Sequence, residues 1–74
     1  MEKKYLAFRI DTNAIKDHKV VQGFFVRGQR PSDYNWPMIG EFPDMEAAKD
    51  FIRSIITDPV RQVVYGPNGY GMKL

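Results

Sequence analysis

The densest group of potential metal ligands lies near the N-terminus of the chain. Within eight positions the sequence places four oxygen or nitrogen donors: Asp11, Asn13, Asp17 and His18. A calcium-binding loop starting at Asp11 would need an oxygen ligand and then a glycine where the sequence has Ile15 and Lys16. The segment is therefore typical of a solvated turn, and we predict that the protein binds no metal ion and no cofactor.

Glycines near the C-terminus form a second pattern that could hold a charged group. Residues 66–71 follow a strand-like run and contain Gly66, Gly69 and Gly71. A nucleotide-binding loop of this kind opens a helix, because the helix N-terminus holds the anion. The remaining residues are too few for such a helix. We therefore predict a hairpin turn in which Gly66 and Gly69 adopt positive φ angles.

Nucleophiles and bases are scarce in this chain. It has no cysteine, its only serines are Ser32 and Ser54, and its only histidine is His18. The sequence pattern places Ser54 on the water-facing side of a helix and Ser32 in a turn. Nothing in the spacing brings His18 to either serine, as nucleophilic catalysis would require. We predict that the protein is not an enzyme.

Length and composition limit the protein further. The chain has 74 residues, which is enough for a single domain, residues 1–74. Without cysteine it has no disulfide and no thiolate metal site. Its 11 basic and 9 acidic residues alternate along the chain and give a net charge of +2, which favours solubility over a phosphate-binding stripe. The apolar run at residues 5–8 is too short for a signal peptide or a membrane span, so we predict a cytoplasmic protein.

Any functional group must be positioned by helices and strands, and the most clearly marked of these in the sequence is one amphipathic helix within residues 43–59. Asp44 has the residue type of an N-cap. One apolar stripe follows at helical spacing: Ala48, Phe51, Ile52 and Ile55. The pair Asp58–Pro59 ends the helix, because a residue before proline resists helical geometry.

Strand-like segments lie on both sides of this helix, at residues 4–11, 20–27, 38–42, 60–66 and 70–74. Residues 12–19 are polar and connect the first two strands, with room for a single helical turn, and we predict an antiparallel meander of the first three strands. The last two strands form a hairpin. The predicted fold class is α+β, a small antiparallel sheet with the chain order β-β-β-α-β-β and one amphipathic helix packed on one face.

A single helix can cover only one face of this sheet. The alternation in the first strand turns Leu6, Phe8 and Ile10 toward the helix and leaves the intervening residues on the far face. In the second strand it groups Val20 with the helix-facing residues and Val21 with the far face. With the following loop, the far face supplies the candidate partner-binding residues, which are Tyr5, Arg9, Phe25, Arg27, Arg30, Tyr34 and Trp36.

Tyrosine, tryptophan and arginine are the residue types that dominate binding hot spots. The sequence therefore predicts a small non-catalytic protein-interaction module, such as an inhibitor, adaptor or regulator. Small accessory proteins of phages and mobile elements often have this size. The same face would also serve a homodimer.

The alternative function is nucleic-acid binding, in which arginines contact phosphates and aromatic rings stack on bases. The N-terminal half is more basic than the whole chain. Its cationic residues are Lys3, Lys4, Arg9, Lys16, Lys19, Arg27 and Arg30.

Overall fold

The computed structural model describes residues 4–74. Its elements are β1 (Ala7–Lys16), β2 (Lys19–Gln29), β3 (Met38–Phe42), α1 (Met45–Ile55) and β4 (Val63–Tyr65). The predicted α+β fold, with one helix packed on a small sheet, is confirmed. The four strands have the order β3-β2-β1-β4, and β1, β2 and β3 are antiparallel neighbours as predicted.

The fourth strand corrects the prediction of a wholly antiparallel sheet, because β4 pairs with β1 in parallel. Since β3 and β4 are the two border strands, α1 carries the chain across the full width of the sheet. A helix of 11 residues is about 16 Å long. Three strand spacings amount to about 14 Å, so one short helix suffices for this crossover, and the sheet is mixed.

The hydrophobic core lies between α1 and one face of the sheet. Its buried residues are Phe8, Ile10, Val26, Ala48, Ile52 and Val64. The predicted helical stripe is confirmed, with Phe51 and Ile55 half-buried beside it. The helix begins where predicted, because the Asp44 side chain accepts a hydrogen bond from the Ala47 N–H at 2.8 Å. Among residues 4–74, no helix has the length and apolar character needed to cross a membrane.

The connection between β1 and β2 differs from the prediction. Residues 12–19 do not form a helical turn, because β1 continues to Lys16 and a two-residue turn leads into β2. The turn residues Asp17 and His18 have φ angles of 49° and 64°. Two positive φ angles give a turn whose twist matches that of the flanking strands. The sequence lacks the glycine that usually marks such a turn, so it gives no local signal for a tight hairpin at these residues.

The β1–β2 pairing has an irregularity between Asp11 and Asn13, so the pairing register changes by one residue at that point. Val21 is paired with the buried Ala14, and Val20 is paired with Ile15. Val20 is 69 % exposed, and Val21 is half-buried.

The C-terminal segment is less regular than predicted. Residues 60–62 belong to a turn after the helix, and the strand begins only at Val63. The predicted turn at residues 67–69 is present, and Gly69 has a φ of 85°. Gly66 does not have the positive φ that we predicted. In place of a fifth strand, residues 70–74 contribute one isolated bridge, between Tyr65 and Gly71.

Both borders of the sheet are short and partly obstructed. Prolines directly precede and follow β3, at Pro37 and Pro43, and proline has no N–H to donate to a neighbouring strand. The other border strand, β4, has three residues, and the carbonyl oxygen of Val64 already accepts a hydrogen bond from the Met72 N–H at 2.8 Å.

Candidate protein-interaction surface

Two arginines on the sheet face away from the helix share one carboxylate. Arg9 donates from Nε to Asp11 Oδ1 at 3.0 Å and from Nη2 to Oδ2 at 2.9 Å. Arg27 donates from Nε to the same Oδ2 at 3.0 Å. Bidentate arginine–carboxylate pairs fix both position and orientation. Asp11 therefore holds the two guanidinium groups in one arrangement.

Trp36 joins this group from the loop before β3. Its carbonyl oxygen accepts a hydrogen bond from Arg27 Nη1 at 2.8 Å. The Arg9 guanidinium lies 5.5 Å from the centroid of its ring, within the range of a cation–π contact. The Tyr65 ring meets it edge-on, with 6.1 Å between centroids. We call the surface formed by Arg9, Asp11, Arg27, Trp36 and Tyr65 the arginine face.

Strand register explains why these residues meet. In β1, alternation turns Phe8 and Ile10 toward the helix and Arg9 and Asp11 away from it. Arg27 lies directly opposite Arg9 in the antiparallel neighbour β2. Across the parallel pair, Tyr65 lies opposite Arg9 on the other side. The centre of this sheet face thus collects side chains from three adjacent strands.

Phe25 corrects the prediction of an exposed ring. It lies opposite Asp11 and Glu41, yet only 3 % of its surface is accessible. Its ring lies on Gly23, where an added Cβ would be 3.0 Å from the ring. Lys16 covers it, with Nζ 5.7 Å from the ring centroid and an ion pair to Glu41. Gly23 on one side and the Lys16–Glu41 pair on the other shield the ring from water. Strand alternation alone does not predict this burial.

Tyr5 also differs from the prediction, which placed it on the far face. It packs against the core, with its ring centroid 5.3 Å from that of Phe8. The ring occupies space above Gly28, where a Cβ would come within 2.8 Å of it. Leu6, predicted inside, is 53 % exposed. Both residues precede β1, so the strand alternation does not extend to them.

The remaining two candidates lie in the loop between β2 and β3. Arg30 donates from its backbone N–H to Asp33 Oδ2 at 3.0 Å and from its Nε to the same oxygen at 3.2 Å. These two hydrogen bonds, the backbone one first, hold the pKa of Asp33 below its ordinary value. They therefore support this loop above the ordinary carboxyl pKa, and the support is lost as the pH falls through the lowered value. Tyr34 is fully exposed at this loop.

Of the predicted site residues, the structure brings together Arg9, Arg27 and Trp36, with Phe25 sealed in the neighbouring position. The sequence reasoning missed Asp11 and Tyr65. Asp11 had a signal, because it lies two positions after Arg9 on a strand and must share its face. Tyr65 had none, because its position depends on the parallel pairing of β4 with β1.

Other chemically reactive side chains are dispersed. The Ser54 hydroxyl donates to the Phe51 carbonyl of its own helix at 2.6 Å. Asp17 and His18 form the β1–β2 turn, separated from Asp11 by the second half of β1. Within the described part of the chain, no three histidine, aspartate or glutamate side chains are grouped so that they could hold a metal ion.

The shared carboxylate leads to a first expected result. Asp11→Asn should lower the free energy of unfolding by about 1–2 kcal/mol, because Arg9 and Arg27 lie directly opposite each other and would lose their common counter-charge. The loss is moderate because the Asp11 side chain is 25 % exposed. Urea unfolding in low and in high salt measures it. A matched Asp50→Asn variant, in an exposed helical pair, should change little. Equal losses for both variants would contradict the assigned role of Asp11.

Comparison of this chain with protein-family models, curated proteins and solved structures yields no significant match.

Proposed function

We propose that this protein is a small non-catalytic module that binds another protein through its arginine face. The observation that carries the proposal is the grouping of Arg9, Arg27, Trp36 and Tyr65 on the sheet face that α1 does not cover. Arginine, tryptophan and tyrosine are over-represented among residues that contribute most to protein–protein affinity.

The arrangement is also pre-organised. Asp11 fixes both guanidinium groups, and Trp36 is held by a hydrogen bond to its backbone and by contacts on two sides of its ring. Side chains that are already ordered lose less conformational entropy when a partner binds. A fixed surface of this composition suits a partner of complementary shape.

Ion pairing favours a protein partner over a nucleic acid. Four of the cations that suggested phosphate binding form ion pairs with three carboxylates: Arg9 and Arg27 share Asp11, Lys16 pairs with Glu41 and Arg30 pairs with Asp33. A nucleic-acid surface needs cations available to replace the counterions of many phosphates. Binding of nucleic acid through the N-terminal half is the alternative, and the same experiment distinguishes it.

The test is capture of partners from host lysate on the immobilised protein, followed by mass spectrometry. We expect protein partners whose capture survives nuclease treatment and 0.5 M salt, at which the Debye length falls to about 4 Å. Trp36→Ala should weaken binding of the partner more than tenfold, which corresponds to about 1.4 kcal/mol. Tyr70→Ala is the matched control, because Tyr70 is an aromatic residue that is 74 % exposed and is not one of the residues of the arginine face.

Two outcomes would reject the proposal. Capture that disappears with nuclease or falls steeply with salt would favour the nucleic-acid alternative. Equal capture by the parent and by Trp36→Ala, with loss in Tyr70→Ala, would place binding on another surface. Light scattering on the purified protein shows whether the captured partner is a second copy of the chain.

A further inference from the structure

We infer that the arginine face takes a single carboxylate side chain from an acidic peptide segment of its partner, with an apolar neighbour of that carboxylate against Trp36. This inference rests on the proposed protein-binding function and names the chemistry of the partner.

The first argument is an imbalance of charge. The arginine face lies beside the Lys16–Glu41 ion pair that covers Phe25. Together they carry three cations, Arg9, Arg27 and Lys16, and two carboxylates, Asp11 and Glu41. Lys16 and Glu41 neutralise each other, so Asp11 is left to balance two arginines. One more negative charge would complete the group.

The second argument concerns the geometry of the donors. Arg9 uses Nε and Nη2 for Asp11, and Arg27 uses Nε for Asp11 and Nη1 for the Trp36 carbonyl. Nη1 of Arg9 and Nη2 of Arg27 have no hydrogen-bond acceptor among residues 4–74. The two side chains are 37 % and 25 % exposed, and an acceptor that binds these two nitrogens would replace none of the hydrogen bonds to Asp11.

The third argument is that a protein carboxylate fits better than a nucleic acid. Double-stranded DNA carries one negative charge about every 1.7 Å of its axis, and it needs a row of cations. This face has one surplus positive charge, and the Glu41 carboxylate nearby would repel a second phosphate. A peptide can present one isolated carboxylate beside an apolar side chain, and Trp36 offers a half-buried ring for that side chain.

Trp36 is the only tryptophan in the chain, so its fluorescence reports on this site. The probes are the blocked peptide Ala-Leu-Glu-Leu-Ala, its analogue with glutamine in place of glutamate, and a single-stranded oligothymidylate. We expect a fluorescence change on titration with the glutamate peptide into the millimolar range, and binding about fivefold to tenfold weaker for the glutamine peptide, because charge-assisted hydrogen bonds are the stronger class.

Arginine variants localise the effect. Arg9→Gln and Arg27→Gln should each abolish the preference for glutamate over glutamine. Arg53→Gln removes the same charge from the outer side of α1 and should leave the preference intact. Two arginine variants are used so that the failure of one to fold does not remove the test, and circular dichroism establishes that each variant is folded.

Several results would overturn the inference. These are equal binding of the two peptides, no fluorescence response to the glutamate peptide up to solubility, or tighter binding of the oligothymidylate to the same two arginines. If partner capture depends on Trp36 while the two peptides bind equally, the proposed function stands and only the carboxylate chemistry is wrong. If capture is independent of Trp36, the proposed function itself fails.

Discussion

Phe8→Ala is expected to lower the free energy of unfolding by about 3–5 kcal/mol, the usual cost of removing a buried aromatic ring. Phe8 is fully buried in β1, where it belongs to the core that α1 covers and also contacts the Tyr5 ring. A domain of this length has a total stability of only about 4–11 kcal/mol. The variant should therefore lose between about a quarter and all of the stability of the fold.

Urea unfolding followed by circular dichroism measures this effect. Leu6→Ala is the matched control, because Leu6 lies two positions earlier and is 53 % exposed. Its loss should be well under half of that for Phe8→Ala, since removing exposed methyl groups leaves no cavity. Similar losses for the two variants would mean that the Leu6 side chain is buried in solution and not about half exposed.

Phe25→Ser is the second variant with a large expected effect, and it should lower the free energy of unfolding by about 2–4 kcal/mol. The sequence places Phe25 among the partner-binding residues of the far face, from which one would expect altered binding with folding little changed. The structure reverses that expectation, because the ring is 3 % exposed, lies on Gly23 and is covered by Lys16. The estimate is below that for Phe8, because a lysine chain can move to fill part of the space.

Thermal unfolding of dilute monomer is the appropriate measurement for Phe25→Ser. Val20→Ser serves as the control, because Val20 is in the same strand and is 69 % exposed. A melting temperature unchanged by Phe25→Ser, together with altered self-association, would restore the prediction from sequence. An equal fall in the melting temperature of Val20→Ser would instead indicate that any polar substitution in β2 destabilises the fold.

The predictable part of the fold is the part that depends on local chemistry. The amphipathic stripe around Ile52 and the Asp44 cap identify α1, and the alternation around Phe8 identifies β1 and its buried face. The β1–β2 turn was not predictable in the same way, because Asp17 and His18 adopt angles for which glycine is the usual signal. The parallel pairing of β4 depends on where the helix delivers the chain, and periodicity carries no such information.

The candidate site was predictable to the extent that it follows strand alternation. Arg9 and Arg27 were expected to share a face, and they do, as direct cross-strand partners. The burial of Phe25 was missed, because it depends on the glycine at position 23 and on an ion pair between residues 25 positions apart. Trp36 was expected near this face, but its contact with Tyr65 depends on the mixed sheet.

The obstructed borders of the sheet have a consequence for how this protein behaves in a crowded solution. With prolines at both ends of β3 and the Val64 carbonyl already occupied in β4, neither border offers a long row of open backbone groups to another chain. Fibril growth by successive addition of strands is therefore disfavoured. Complexes of this molecule should instead form through side chains, with defined stoichiometry, and should dissolve again on dilution.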